Sequence, residues 1–130
     1  MLRIGIYQTI DPDEVYEQHG GAEISHTIFW NLCFFEDKTV GLFGGSKEFM
    51  TPYIKKSVPM KGRVSYHIGS KLEISLFNPY TASNITFSGT VAGDKLILTQ
   101  TQDSNPNEVR RYVFQYLGDP SSGSGSDFGV

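Results

Sequence analysis

The sequence predicts an all-β fold: an antiparallel, up-and-down barrel of eight strands with a short N-terminal helix. Three observations carry this. Aromatic residues make up 13% of the 130 residues and glycine contributes 14, a composition suited to strands joined by tight turns. From residue 27 onward, apolar and polar residues alternate in short runs separated by turn-forming residues. The registers of successive hairpins also agree, so one apolar face runs through the meander with a Ser/Thr/Glu/His face behind it.

The elements follow in order. Residues 2–9 alternate as a strand, with Leu2, Ile4 and Ile6 on one face. A helix signature comes next: Asp11 as N-cap, Pro12 at the first helical position, Glu14 three residues after the cap and Gly20 as terminator. Strands at 27–35 and 39–43 flank a three-residue loop, Glu36-Asp37-Lys38, which sets Phe34 opposite Val40 and Leu32 opposite Leu42. Strands at 62–68 and 72–78 flank Gly69-Ser70-Lys71, which opposes Ile68 to Leu72, Tyr66 to Ile74 and Val64 to Leu76. The connection Pro79-Tyr80-Thr81-Ala82 sets Leu76 opposite Ile85 and Ile74 opposite Phe87. Gly93-Asp94 is a two-residue hairpin turn that sets Val91 opposite Leu96. A last strand covers 109–117.

Residues 68–75 (IGSKLEIS) echo 92–99 (AGDKLILT). These registers give the two turns different lengths, so the echo is one of sequence and not of geometry. Residues 44–61 are too long for an ordinary hairpin loop. Phe49, Met50 and Tyr53 within them are candidates for a lid, while Pro52 and Pro59 limit any helix there. Residues 1–117 form a single domain, and 118–130 read as a flexible Gly/Ser-rich tail. A meander of this kind must close on itself or stack as two sheets, since open strand edges are hazardous, and sequential strand order favours closure.

Composition narrows the function classes. With 38% hydrophobic and 19% charged residues and a net charge of -3, the chain reads as an ordinary globule. No apolar run approaches the roughly 18–20 residues of a membrane span, and no signal-peptide pattern opens the chain, so a cytoplasmic location is expected. Cys33 is the one cysteine. It excludes an intrachain disulfide and, within its apolar run, reads as a small buried hydrophobe. Charge is segregated. Residues 1–37 hold seven acids against Arg3, and residues 38–71 hold seven bases against Glu48. Either an anion-binding side or two oppositely charged neighbours in the fold would account for this.

Several segments resemble a calycin, the lipocalin-like class of small barrels. They are Gly5-Ile6-Tyr7, then 34–40 (FFEDKTV), 62–66 (GRVSY), 89–96 (GTVAGDKL) and Arg111-Tyr112-Val113-Phe114. The chain departs from the family at Tyr7, where the Gly-x-Trp motif would carry Trp, and in having no disulfide or secretion signal. The resemblance implies a lipocalin-like barrel that holds a small apolar molecule.

An eight-stranded barrel is just wide enough to be filled by its side chains or to hold one small ligand. The candidate ligand-binding residues on the apolar face are Trp30, Phe34, Tyr66, Ile74, Phe87 and Leu98, with Tyr66 as a polar handle. Strand 109–117 offers either Arg110, Tyr112, Phe114 and Tyr116, or Val109, Arg111, Val113 and Leu117, to the interior. The first set adds Arg110, Tyr112 and Phe114 to the candidates, with Arg110 placed to meet a ligand carboxylate or phosphate or simply exposed at the strand end.

No catalytic residues, cofactor or metal site are expected. His19, His26 and His67 show no ligand spacing, and no catalytic triad, phosphate loop or dinucleotide fingerprint is present. His67 falls on the polar face, against a haem held inside. Lys47, Lys55, Lys56, Lys61 and Arg63 with Tyr53 would be the means of nucleic-acid binding, but no RNA-binding signature accompanies them. The expected function is therefore non-enzymatic binding of a small apolar or amphipathic ligand. The alternative is a protein-interaction module with a filled core and an outer aromatic face of Phe29, Phe35, Phe43 and Phe77.

Overall fold

The structure, a computed structural model, describes residues 2–45, 60–102 and 105–118, without the side chains of Tyr66, Asn105 and Pro106. The expected lid residues Phe49, Met50 and Tyr53 and nearly all of the tail lie outside these residues. The described residues form nine strands: β1 (Gly5–Thr9), β2 (Asp13–His19), β3 (Ala22–Phe34), β4 (Thr39–Gly45), β5 (Met60–Ile68), β6 (Lys71–Asn78), β7 (Ser83–Ala92), β8 (Lys95–Gln102) and β9 (Asn105–Gly118). Each strand from β3 to β9 pairs antiparallel with the next, and β1 pairs with both β3 and β9. Eight strands thus close into an antiparallel barrel with no free edge among them.

The helix expected near residues 12–20 is not formed. Residues 13–19 are β2, paired with β3 from Asp13↔Ile28 to His19↔Ala22. Gly20 and Gly21 sit between them with φ of 57° and 86°, the two positive values that a type I′ hairpin turn demands. The Asp11-Pro12 capping signal loses for a physical reason. Val15 and Tyr16 are the only large apolar residues of the segment, too few to give a short helix a face to bury. A ladder to β3 satisfies the same backbone groups without needing such a face. The first half of the 13-residue β3 pairs with β2 and its second half with β1, so the β2–β3 hairpin stands out from the barrel as an arm exposed along most of its length.

Three expected registers are observed: Phe34↔Val40, Leu76↔Ile85 and Val91↔Leu96. The β5–β6 register differs. Its turn is the two-residue Gly69-Ser70, with Ile68 opposite Lys71, and a bulge between Val64 and Tyr66 then puts Val64 opposite Ile74. The extra residue, Ser65, is held by a hydrogen bond from its Oγ to the carbonyl of Glu73 at 3.1 Å. A bulge reverses the facing of the residues beyond it. His67 is consequently paired with the inward Leu72. The echo between 68–75 and 92–99 is therefore geometric after all: Gly69 and Gly93 have φ of 60° and 65° in equivalent two-residue turns.

The barrel interior has three layers. Across the middle, Tyr7, Leu32, Val40, Ile74, Leu96 and Leu98 are essentially inaccessible and fill the cross-section. Above them, toward the arm, and below them, toward the Glu36-Asp37-Lys38 turn, the packing loosens into two recesses. Tyr7 links the middle layer to the lower end: its ring meets Phe34 edge-on at 5.5 Å and Tyr116 at 4.9 Å, and its hydroxyl accepts from the Arg3 amide at 2.9 Å. Tyr116 donates to the Ile4 carbonyl at 2.7 Å, so these two tyrosines strap residues 3–4 to the barrel.

Candidate functional site

The upper cavity, about 150 Å³, lies beneath the base of the arm. Its floor is apolar, formed by Leu42, Met60, Ile85, Phe87 and Phe114 from four strands. Phe114 meets Phe87 edge-on at 6.0 Å, and Tyr112 lies 6.0 Å from Phe114 and 6.4 Å from Phe87. This cluster follows from alternation on β9, which turns Tyr112, Phe114 and Tyr116 inward and leaves Val109 61% exposed outside. Of the two faces the sequence offered on this strand, the first is the inner one.

Polar groups close the top. The Asp13 carboxylate accepts from Trp30 Nε1 at 2.8 Å and from the Tyr112 hydroxyl at 2.7 Å, and lies 3.7 Å from the Arg110 guanidinium. Asp13 is the first residue of β2, so this knot ties the arm to β9 across the mouth. Burial, then the hydrogen bond to Asp13, pushes the Tyr112 phenol up to about 12. Arg110 also donates from Nε to Glu108 at 2.6 Å. Its contacts with the Tyr112 hydroxyl and Glu108 hold its guanidinium above the ordinary value. Gln100, opposite Arg110 in the ladder, faces the same space.

Trp30, Phe87, Arg110, Tyr112 and Phe114 of the candidate residues come together here. Ile74 and Leu98 lie in the filled middle layer, and Phe34 lines the lower recess instead. The Tyr66 side chain lies outside the described residues. Sequence reasoning missed Asp13, Gln100 and Met60. Asp13 was hidden inside the supposed helix. Gln100 continues the inward alternation of Leu96 and Leu98, and that signal would have found it.

The lower recess, about 290 Å³, is lined by Phe34, Val64 and residues 2–4, with Glu36, Lys38 and His67 around them. His67 reaches it because of the β5 bulge. Among the described residues, no three His, Cys, Asp or Glu side chains are gathered as a metal ion would need, and no helix is long and apolar enough to cross a membrane. Compared with known proteins, the chain matches no family model, no curated protein and no solved structure.

Proposed function

We propose that the protein binds a small amphipathic molecule at the arm-covered end of its barrel, without catalysing a reaction on it. The observation that carries this is the cavity itself: about 150 Å³ with an apolar floor and a polar rim. A cavity of about that size holds a single benzene-like ring. The polar groups at the rim hold one another in place, Asp13 accepting from Trp30 and Tyr112, an arrangement that suits orientation of a ligand better than proton transfer. The closed eight-stranded barrel is compatible with the lipocalin-like resemblance. Cys33, buried and without a second cysteine, is compatible with a reducing, cytoplasmic setting.

The alternative reading, docking of a protein on the outer aromatic face, has less support. Of Phe29, Phe35, Phe43 and Phe77, only Phe77 is exposed, at 48%. It is paired with Lys61 and Asn84, so charged and polar neighbours break up the face.

Native mass spectrometry of protein purified without refolding tests the proposal. A reproducible added mass of one small molecule is expected, and it is lost in Ile85→Trp, whose larger ring fills the cavity. A bare wild-type protein that also binds no ring-sized probe overturns the proposal.

A further inference from the structure

Gln100 is a buried polar residue of the cavity that the knot at the rim does not use. It is 9% exposed. Among the described residues, nothing is hydrogen-bonded to its side-chain amide, and no buried side-chain nitrogen or oxygen sealed off from solvent lacks a partner. Both facts hold if the amide opens onto accessible space, and Gln100 lines the cavity. An amide that opens onto this space takes its partners from whatever occupies it, so it is available to a ligand group. Asp13, Tyr112 and Trp30 are already bonded to one another above it.

A primary amide presents a donor and an acceptor side by side. Its best partner presents the same pair reversed: a carboxamide, a lactam or a similar ring edge. Charge narrows the choice further. The side chains lining the cavity that carry charge at neutral pH are Asp13, Glu14 and Arg110, two acids against one base. The base is already paired with Asp13 and Glu108, so an anionic ligand meets a negative surround with its counter-charge engaged. A cation meets carboxylates that already accept hydrogen bonds: Asp13 from Trp30 and Tyr112, Glu14 from Thr27 at 2.8 Å.

We infer that the ligand is a neutral molecule of about one ring, carrying a carboxamide-type edge that pairs with Gln100 while its apolar body rests on Ile85, Phe87 and Phe114. This rests on the binding reading above and names the ligand class of that site. It also departs from the sequence-based expectation of a ligand carboxylate on Arg110, whose guanidinium the structure shows engaged by protein carboxylates.

The test is calorimetric titration of the full chain with three probes of similar size: benzamide, benzoate and ethylbenzene. Benzamide is expected to bind about tenfold more tightly than either of the others, the worth of a net hydrogen-bonded edge. Gln100→Met, close in shape but without the amide, is expected to lose that advantage and to keep its affinity for ethylbenzene. Its thermal midpoint is expected to be unchanged or higher, because the variant removes a group that has no protein partner. A lower midpoint with benzamide binding retained overturns the role assigned to Gln100. Equal binding of ethylbenzene and benzamide, or tightest binding of benzoate, overturns the ligand class while leaving a binding barrel. If a molecule co-purifies but no probe binds, the class is again overturned and the binding reading stands. If nothing co-purifies and nothing binds, both fail.

Discussion

Replacing Asp13 by alanine removes the acceptor shared by Trp30 Nε1 and the Tyr112 hydroxyl. Both donors are partly buried, so the loss is expected to cost about 1–3 kcal/mol, read as a lower midpoint in urea or heat. Asp13→Asn keeps an acceptor oxygen and is expected to lose less. Trp30 is the single tryptophan of the chain, and its fluorescence reports the change at the knot directly. The same knot has a signature in alkali. The Tyr112 phenol titrates near 12 in the folded protein against about 10 when unfolded. Its neutral form is therefore favoured by folding: the contribution is complete below about pH 10 and is lost as pH rises through about 12. Spectrophotometric titration is expected to show tyrosines ionising late, Tyr112 among them, with Tyr7 also raised by burial. In Tyr112→Phe the late phase should shrink. An unchanged late phase would count against the assignment.

At the level of elements, two glycines make opposite demands. A Cβ on Gly62 of β5 would lie 1.8 Å from the Ser75 carbonyl oxygen, a backbone atom of β6 that cannot give way. Gly62→Ala is thus expected to cost about 3 kcal/mol or more. Gly93 has open space around it but a φ of 65°, so Gly93→Asn, which tolerates that region, is expected to cost far less. Chemical denaturation of the two variants separates them. The arm supplies a third test. Residues 16–25 contribute nothing to the barrel core, and Val15 is paired with His26. Replacing 16–25 by Asn-Gly is expected to leave the thermal midpoint within a few degrees, while a collapse in stability would show that the arm supports the barrel. Legibility in the sequence also divides by element. The Phe34–Val40, Leu76–Ile85 and Val91–Leu96 registers are legible because alternation and turn length there point the same way. The arm is not, because Asp11-Pro12 and Glu14 carry a local helix signal, while the outcome depends on the Gly20-Gly21 turn and on pairing with β3. The Ser65 bulge leaves no mark in the composition of β5. Trp30 and Phe87 are legible for the same reason as the registers, whereas alternation on β9 leaves open whether the face of Tyr112 and Phe114 or that of Arg111 and Val113 turns inward. Asp13 is not legible, since its role exists only once β2 folds back over β9.

On the scale of the whole molecule, closure depends on the shortest strand. β1 has five residues, all buried, and carries ladders on both sides, to β3 and to β9. An open sheet would expose the backbone edges of β3 and β9, so β1 is expected to leave the barrel only when the whole barrel unfolds. The filled middle layer and the looser upper end imply a gradient laid over that cooperativity. Native-state hydrogen exchange resolves both. Amides of Ile6–Gln8 are expected to be as protected as those of Ile74, Ser75 and Leu76 in the middle of β6, while amides of the arm from Tyr16 to Ser25 exchange close to the unprotected rate. A saturating ligand in the upper cavity stabilises by an amount set by its concentration over its dissociation constant. Its protection should therefore spread through β1, β3 and β9 together, as one unit, and reach the arm only at its base near Asp13 and Ile28. Fast exchange confined to β1 would mean that the barrel breathes open at that strand, and ligand entry would then be expected through the β1 seam instead of under the arm.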